Sequence, residues 1–335
     1  MRLFQNYGLY PSYLPRLNQL AMSTQSFAER RDVFLNDRFG ASHFLQPVLD
    51  GSPEAFFTNG DDAVLQRRWA REQGMSGEPT LEAILLAQIE HHATEVFYNL
   101  DPVRYPSAFV AKLPGCVKTA LCWRAAPSGN ADFTAYAAVL GNFPSILDMW
   151  RDKGCRAESF FPAHDPVMDE YGHGERPIDV VFVGGYSRHH RLTRLAESAI
   201  GRLLPLRQHR RPKAVAKIAQ PPVFGRDLYD LLGSAKIVLN GAIDMSGSDR
   251  GNMRCFEAMG CGALLVSDAG RYPGGMDSET IVTYAGGSDC LAQIETSLNN
   301  WTEIKAKAER GRAAVRDLYS KQQQWALFRS LVSRL

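Results

Sequence analysis

Residues 240–268, NGAIDMSGSDRGNMRCFEAMGCGALLVSD, decide how the rest of the chain reads. Just before them, Ala235, Lys236, Ile237, Val238 and Leu239 make a short apolar run that stops at Asn240 and Gly241. A short β-branched run closed by turn residues reads as a buried strand. A loop rich in Ser, Gly and Asp follows at 246–251. Asn252 then suits the N-cap of a helix from Met253 to about Met259. Gly260 and Gly262 end that helix, and residues 263–267 form the next apolar strand. The unit is strand, polar glycine-bearing loop, short helix, strand.

A helix start behind such a loop offers unpaired backbone amides and the positive end of a dipole, which favour a phosphate. Arg250 and Arg254 add charge there, and Glu257 lies one turn into the helix. A carboxylate in that place accepts two hydrogen bonds and suits a ribose diol. An ordinary βαβ unit with a solvated glutamate and two surface arginines would show the same pattern.

The residues themselves separate the two readings. Residues 252–268, NMRCFEAMGCGALLVSD, resemble the nucleotide-sugar site of GT-B glycosyltransferases. The likeness is strongest to the family named after the spore-maturation protein CgeB, with its NMRxFEAxGxGxLLxxD pattern. It covers residues 141–319 well and the earlier part more loosely. Many relatives carry a Glu-x7-Glu pair; here Glu257 stands at the second position and Asp249 at the first.

The resemblance implies an α/β chain of GT-B architecture: two facing Rossmann-like domains with parallel sheets and a deep cleft between them. The domains would span 1–165 (acceptor side) and 166–318 (donor side), with 319–335 a helix crossing back to the first. The implied reaction moves a sugar from a nucleotide-diphosphate sugar, a UDP-sugar first among candidates, to a hydroxyl of a glycan, a lipid-linked saccharide or a small molecule. Glu257 would hold the ribose, and Asp249 or Ser248 would touch sugar or phosphate. Arg254 and the 246–251 loop would balance leaving-group charge without a metal ion or other cofactor. Val223 and Phe224 would bound the base pocket. Two other functions share such a site: a sugar-nucleotide epimerase, and a nucleotide-sugar-binding protein without turnover.

The remaining donor candidates come from residue pattern. Residues 179–183 read as the first strand of the second domain. Gly184 and Gly185 after it let a diphosphate approach the backbone. Arg188 and His189 open the helix expected at 188–203. Asn240 and Asn252 flank the central loop. The dinucleotide fingerprint G-x-G-x-x-G is absent, which argues against a dehydrogenase.

Upstream, apolar runs at 2–5, 95–100, 117–123, 136–140 and 157–160 alternate with helical stretches at 63–73, 80–90, 106–113 and 144–153. Such a series predicts a parallel sheet covered on both faces. Residues at the carboxyl ends of its strands face the ligand crevice. That places Tyr7, Tyr10, Asn99, Trp123 and Asn142 on the acceptor side, with His164 bordering the cleft from the linker at 161–174. The tyrosines could equally pack the first loop. If the enzyme inverts, a general base must come from the first domain, where Asp61, Asp62 and His43 are the candidates. Asp61 and Asp62 also read as helix-start acids.

Composition bounds the rest. A chain of 335 residues, 45% hydrophobic and 22% charged, suits two ordinary soluble domains. A net charge of +2 makes no case for nucleic acid. The basic cluster at 207–213 reads as a solvated loop, or as an attraction for a phosphorylated donor or a peripheral membrane surface. The six cysteines form no Cys-x-x-Cys pair and sit mostly in apolar runs, as reduced thiols of a cytoplasmic protein do. The opening residues read as too short and polar for a signal peptide, and no apolar run is long enough to span a bilayer. Nothing in the sequence sets the oligomeric state.

Overall fold

The computed structural model describes residues 1–172, 174–184, 219–241 and 246–335. Over these residues, in chain order, the elements are β1 (Leu3–Asn6), α1 (Leu14–Leu20), α2 (Phe27–Asp37), α3 (Gln46–Leu49), β2 (Ala55–Thr58), α4 (Ala63–Glu72), α5 (Leu81–His91), β3 (Val96–Asn99), α6 (Ser107–Val110), β4 (Thr119–Trp123), β5 (Ala138–Gly141), α7 (Pro144–Asp152) and β6 (Ala157–Ser159). A short 3-10 turn, Pro166–Glu170, leads to β7 (Ile178–Phe182), α8 (Gly225–Gly233), β8 (Ala235–Leu239), α9 (Met253–Gly260), β9 (Leu264–Asp268), β10 (Val282–Tyr284), α10 (Gly287–Asn299), α11 (Trp301–Leu318) and α12 (Lys321–Ser333).

Two parallel sheets result, one per lobe. The first has the order β2-β1-β3-β4-β5-β6, the second β10-β9-β8-β7 among the described residues. In the first sheet Leu3 aligns with both Ala55 and Val96, so the carboxyl ends of β1, β2 and β3 lie level. The chain builds outward from β1 in one direction to β2 and then in the other through β3. The reversal leaves a crevice at the carboxyl ends of β1 and β3, where ligands of open α/β sheets bind.

Local chemistry explains the element boundaries. Ser26 and Glu29 form a reciprocal capping box at the start of α2. Asp62 caps α4 by accepting the amides of Val64 and Leu65. The expected helix at 106–113 is only the single turn of α6, Ser107–Val110, with Pro106 at its N-cap. The strand expected from 136 starts at Ala138, and Tyr136 instead donates its hydroxyl to Tyr105 O. The final helix begins four residues before Trp325, because Ser320 caps it by accepting the Gln323 amide.

The last helix belongs to the first lobe's core. Phe328 packs against Tyr98 and Phe160 at 5.0 and 5.9 Å between ring centres. The buried Lys321 ammonium donates to Ala41 O, Phe44 O and Gln324 Oε1 at 2.7, 2.8 and 3.3 Å. The outgoing and returning segments are tied to each other: the His164 amide donates to Tyr319 O and Gln324 Nε2 to Phe161 O. A second contact joins the lobes where Arg16 bridges Asp37 of α2 and Asp227 of α8. Gly225, at φ +61°, presses against Asp37 there, and a side chain would collide with it.

All six cysteines are without a disulfide; Cys122, Cys155, Cys255 and Cys261 are buried, Cys116 and Cys290 half-buried. Among the described residues no helix is long and apolar enough to cross a membrane.

Truncating Phe328 to alanine should remove about 3–5 kcal/mol of stability, since it empties a fully buried aromatic site. A denaturant midpoint that does not move would show that α12 is not part of the first lobe's core.

Candidate active site in the cleft

The central loop and α9 form one wall of the cleft. Asn252 occupies the N-cap with extended backbone, but its side chain accepts no helix amide. Its amide group instead donates to Asn240 Oδ1 at 3.3 Å, and Asn240 Nδ2 donates to Ser267 Oγ at 3.2 Å. The opening amides of α9 are thus left without a side-chain cap, as an anion-binding helix start requires.

Glu257 is 2% exposed, and Arg254 donates to its Oε2 at 2.5 Å from one turn earlier. Burial pushes the Glu257 carboxyl upward, Arg254 opposes that, and Asp165 adds to the rise. Arg254 Nε is buried with no partner among the described residues. Arg250, by contrast, is committed to Asp268 at 2.7 Å and to the carbonyls of Gly247 and Asp249. Ser248 is exposed at the loop tip, and its carbonyl accepts the Arg271 amide. Gly184 is exposed at the end of β7 beside the Phe182 ring. Gly185, Arg188 and His189 lie outside the described residues, as does the basic cluster at 207–213.

The opposite wall comes from the carboxyl ends of the first sheet. Tyr10 is 56% exposed, yet desolvation raises its phenol pKa and the Glu257 charge raises it further. Its ring packs edge-on against Phe39 at 5.5 Å. Tyr7 is a core residue, packed among Phe34, Phe39 and Phe44. Asn99 is buried and spends its side chain on Asn6, Asp101 N and Tyr136, beneath the cleft floor. Trp123 is half-buried and packs at a tilt against His43, 4.6 Å between ring centres. Arg124 beside it donates to the carbonyls of Ala126 and Pro127, and desolvation lowers its pKa.

The three candidate bases part company. Asp62 is consumed by the α4 cap and by Arg30, whose Nε donates to it at 2.6 Å. Burial and the Lys321 charge push His43 down to about 3, so it stays neutral and weakly basic near pH 7. Asp61 accepts the Leu9 amide at 3.0–3.1 Å and faces Arg104 at 3.8 Å. Desolvation pushes its carboxyl up to about 6; the Leu9 amide and Arg104 oppose this and Asp101 adds to it.

Several residues from the sequence reading lie between the lobes. Phe224 packs edge-on against Tyr13 and Phe39 of the first lobe, at 5.6 and 5.4 Å, while Val223 packs on the second lobe's core. Asn142 donates to Gly251 O at 2.6 Å. Asp249 is 1% exposed, bound to Arg271 at 2.5 Å and accepting the Ser145 amide at 2.7 Å. His164 is buried at the hinge, 3.4 Å from Asp169; burial lowers its pKa against the pull of that carboxylate. Arg271, Ser145 and the Asp101–Arg104 pair escaped the sequence reading. Only Asp101, next to a proline at the end of a predicted strand, carried a signal. Among the described residues no group of three or more His, Cys, Asp or Glu is placed to hold a metal ion.

Comparison with known proteins gives the class of fold. A family described as glycosyl transferase-like matches residues 190–329. No curated protein sequence matches the chain. The structure resembles Anabaena HepE, solved in complex with UDP and glucose, at 12% identity and a TM-score of 0.56 over 100% of both chains. It resembles sucrose-phosphate synthase of Thermosynechococcus elongatus at 11% identity and a TM-score of 0.50, over 99% of each chain. A glycosyltransferase of Rickettsia africae aligns at 10% identity and a TM-score of 0.52, covering 98% of this chain and 97% of that one. The fold is the α/β GT-B architecture, two Rossmann-like lobes facing across a cleft.

Asp62→Ala should cost about 3–5 kcal/mol in stability, because it strands the buried Arg30 guanidinium and uncaps α4. Equilibrium denaturation checks this; a loss below about 1 kcal/mol would release Asp62 for a role in the cleft.

Proposed function

We propose that this protein is a glycosyltransferase that moves a sugar from a nucleotide-diphosphate sugar, of the UDP-sugar class, to a hydroxyl acceptor without a metal ion. The observation that carries the reading is the Glu257–Arg254 pair. A buried carboxylate and a guanidinium with an unused Nε meet one turn into a helix whose amides are uncapped. A ribose diol for the carboxylate and a diphosphate for the guanidinium and amides satisfy all three. The glycosyl transferase-like family match over this half, and the UDP complex of HepE, support the same chemistry. The sequence pattern at 252–268 favours a CgeB-like member. Residues 1–165 would serve the acceptor and 166–318 the donor, with 319–335 returning to the first lobe.

In this reading the bond from the anomeric carbon to the diphosphate oxygen breaks, and the electron pair leaves on the nucleotide. Arg254 and the loop amides stabilise the growing charge. The acceptor oxygen bonds to the anomeric carbon from the Tyr10 side, and Asp61 takes its proton. If the reaction inverts the anomeric centre, a carboxylate with a pKa near 6 suits that task at neutral pH.

Glu257→Gln should weaken UDP binding at least tenfold by calorimetry, about 1.4 kcal/mol, because the diol loses its anionic acceptor. Unchanged affinity would refute the ribose assignment. Full turnover in excess chelator would follow from the metal-free reaction, and its loss would overturn that part.

Asp61 makes the pH dependence specific. With its pKa raised from 3.8 to about 6, it is protonated at pH 5 and ionised at pH 7, so kcat/KM should rise with pH through about 6. The sign for stability is opposite: the group's contribution is complete below about 4 and is lost as pH rises through 6. Asp61→Asn should lower turnover about a hundredfold or more and abolish the acid limb. An acid limb that survives the substitution would assign the proton transfer elsewhere.

A further inference from the structure

The acid that the sequence pattern aligns with the donor sugar is engaged by the other lobe. Asp249 Oδ2 accepts the amide of Ser145, the second residue of the nine-residue helix α7. Ser145 Oγ donates to Ser246 O at 2.9 Å, and Asn142 Nδ2 donates to Gly251 O at 2.6 Å. Both ends of the 246–251 loop are therefore fastened to the first lobe, at Asn142 of the β5–α7 turn and Ser145 of the first turn of α7. Arg271 holds the second oxygen of Asp249 and pairs its backbone with Ser248 and Arg250. Burial raises the Asp249 pKa, but the Ser145 and Arg271 contacts outweigh it and keep the carboxyl below its ordinary value. A carboxylate at a helix N-terminus gains from the opening amides and from the dipole.

We propose that Asp249, oriented by Arg271, is a positioning residue that sets the donor loop only when the lobes close. The inference rests on the glycosyl-transfer reading of the cleft. The loop runs straight into α9, where Arg254 and Glu257 sit. Its conformation is completed by three hydrogen bonds from the first lobe, so closing the cleft and shaping the donor loop are one event. The acid then reaches no sugar hydroxyl. Opening the lobes frees the loop and releases product.

Asp249→Asn removes the charge and keeps the shape. Asn142→Ala removes the neighbouring contact from the other lobe and leaves Asp249 intact. Turnover would be followed as UDP released from UDP-glucose, nucleotide affinity by calorimetry with UDP, and the latch by hydrogen exchange at the first-turn amides of α7. Each variant should lower kcat about tenfold or more while the UDP Kd moves less than about threefold, a split that marks loss of closure. In Asp249→Asn, exchange at Ser145 should accelerate. The double variant should lose less than the product of the two single effects, since both act on one closure step.

A UDP affinity that falls in step with kcat, with Ser145 exchange unchanged, would place Asp249 on the donor and overturn the proposal. Wild-type turnover in both variants would overturn it too. A wild-type protein that binds no UDP would sink the glycosyl-transfer reading instead, while Ser145 exchange in Asp249→Asn would still decide whether the latch exists.

Discussion

The molecule depends on a hinge made of two chain segments that cross between the lobes side by side. His164 and Gln324 donate to the carbonyls of Tyr319 and Phe161, so the outgoing and returning segments are tied to each other. Lys321 anchors the return by placing a buried ammonium on two carbonyls of the first lobe. Burying that cation is expensive unless its donors are met. Three acceptors meet them, while desolvation still pushes its pKa down to about 7. The arrangement tolerates little slack: Gly260 lies against His164 and Met168, and a single methyl there would clash.

With the hinge set, the carboxyl edges of two parallel sheets oppose each other, and the chemistry of the cleft follows from what each wall has left unsatisfied. The second lobe contributes uncapped helix amides, a guanidinium edge and a desolvated carboxylate. In the proposed reading the first contributes Tyr10 and the Asp61 carboxylate, which accepts the Leu9 amide. Most other polar groups nearby are already spent: Asp62 on a cap and an arginine, Asn99 on the floor, Arg250 on Asp268. A site in a folded protein is recognised by polar groups whose partners are missing, because the rest have been paired off as the cost of burial.

Much of this was legible in the residues. The strand–loop–helix–strand unit around 240–268 showed in apolar runs closed by Asn and Gly, and its Arg-x-x-Glu spacing put Arg254 and Glu257 one turn apart on one helix face. The alternation upstream announced a parallel sheet, which in turn placed Tyr10 and Asn99 at carboxyl ends. Roles were less legible. Tyr7 and Tyr10 occupy the same loop and look alike in sequence, yet one is core and the other exposed, because only Tyr7 is enclosed by Phe34, Phe39 and Phe44. Asp61 and Asp62 are adjacent, and only packing shows that α4 and Arg30 claim the second.

The sequence by itself determined the two-lobed parallel α/β plan and the helix Met253–Gly260, because period, turn chemistry and caps act within a few residues. The tertiary structure alone decided which titratable groups remain available. It spent Asp249 on Ser145 more than a hundred positions away, drew Phe224 into the contact with Tyr13 and Phe39, and lifted Asp61 by desolvation. Each of these results from burial and from partners distant along the chain, and neither is encoded in local spacing.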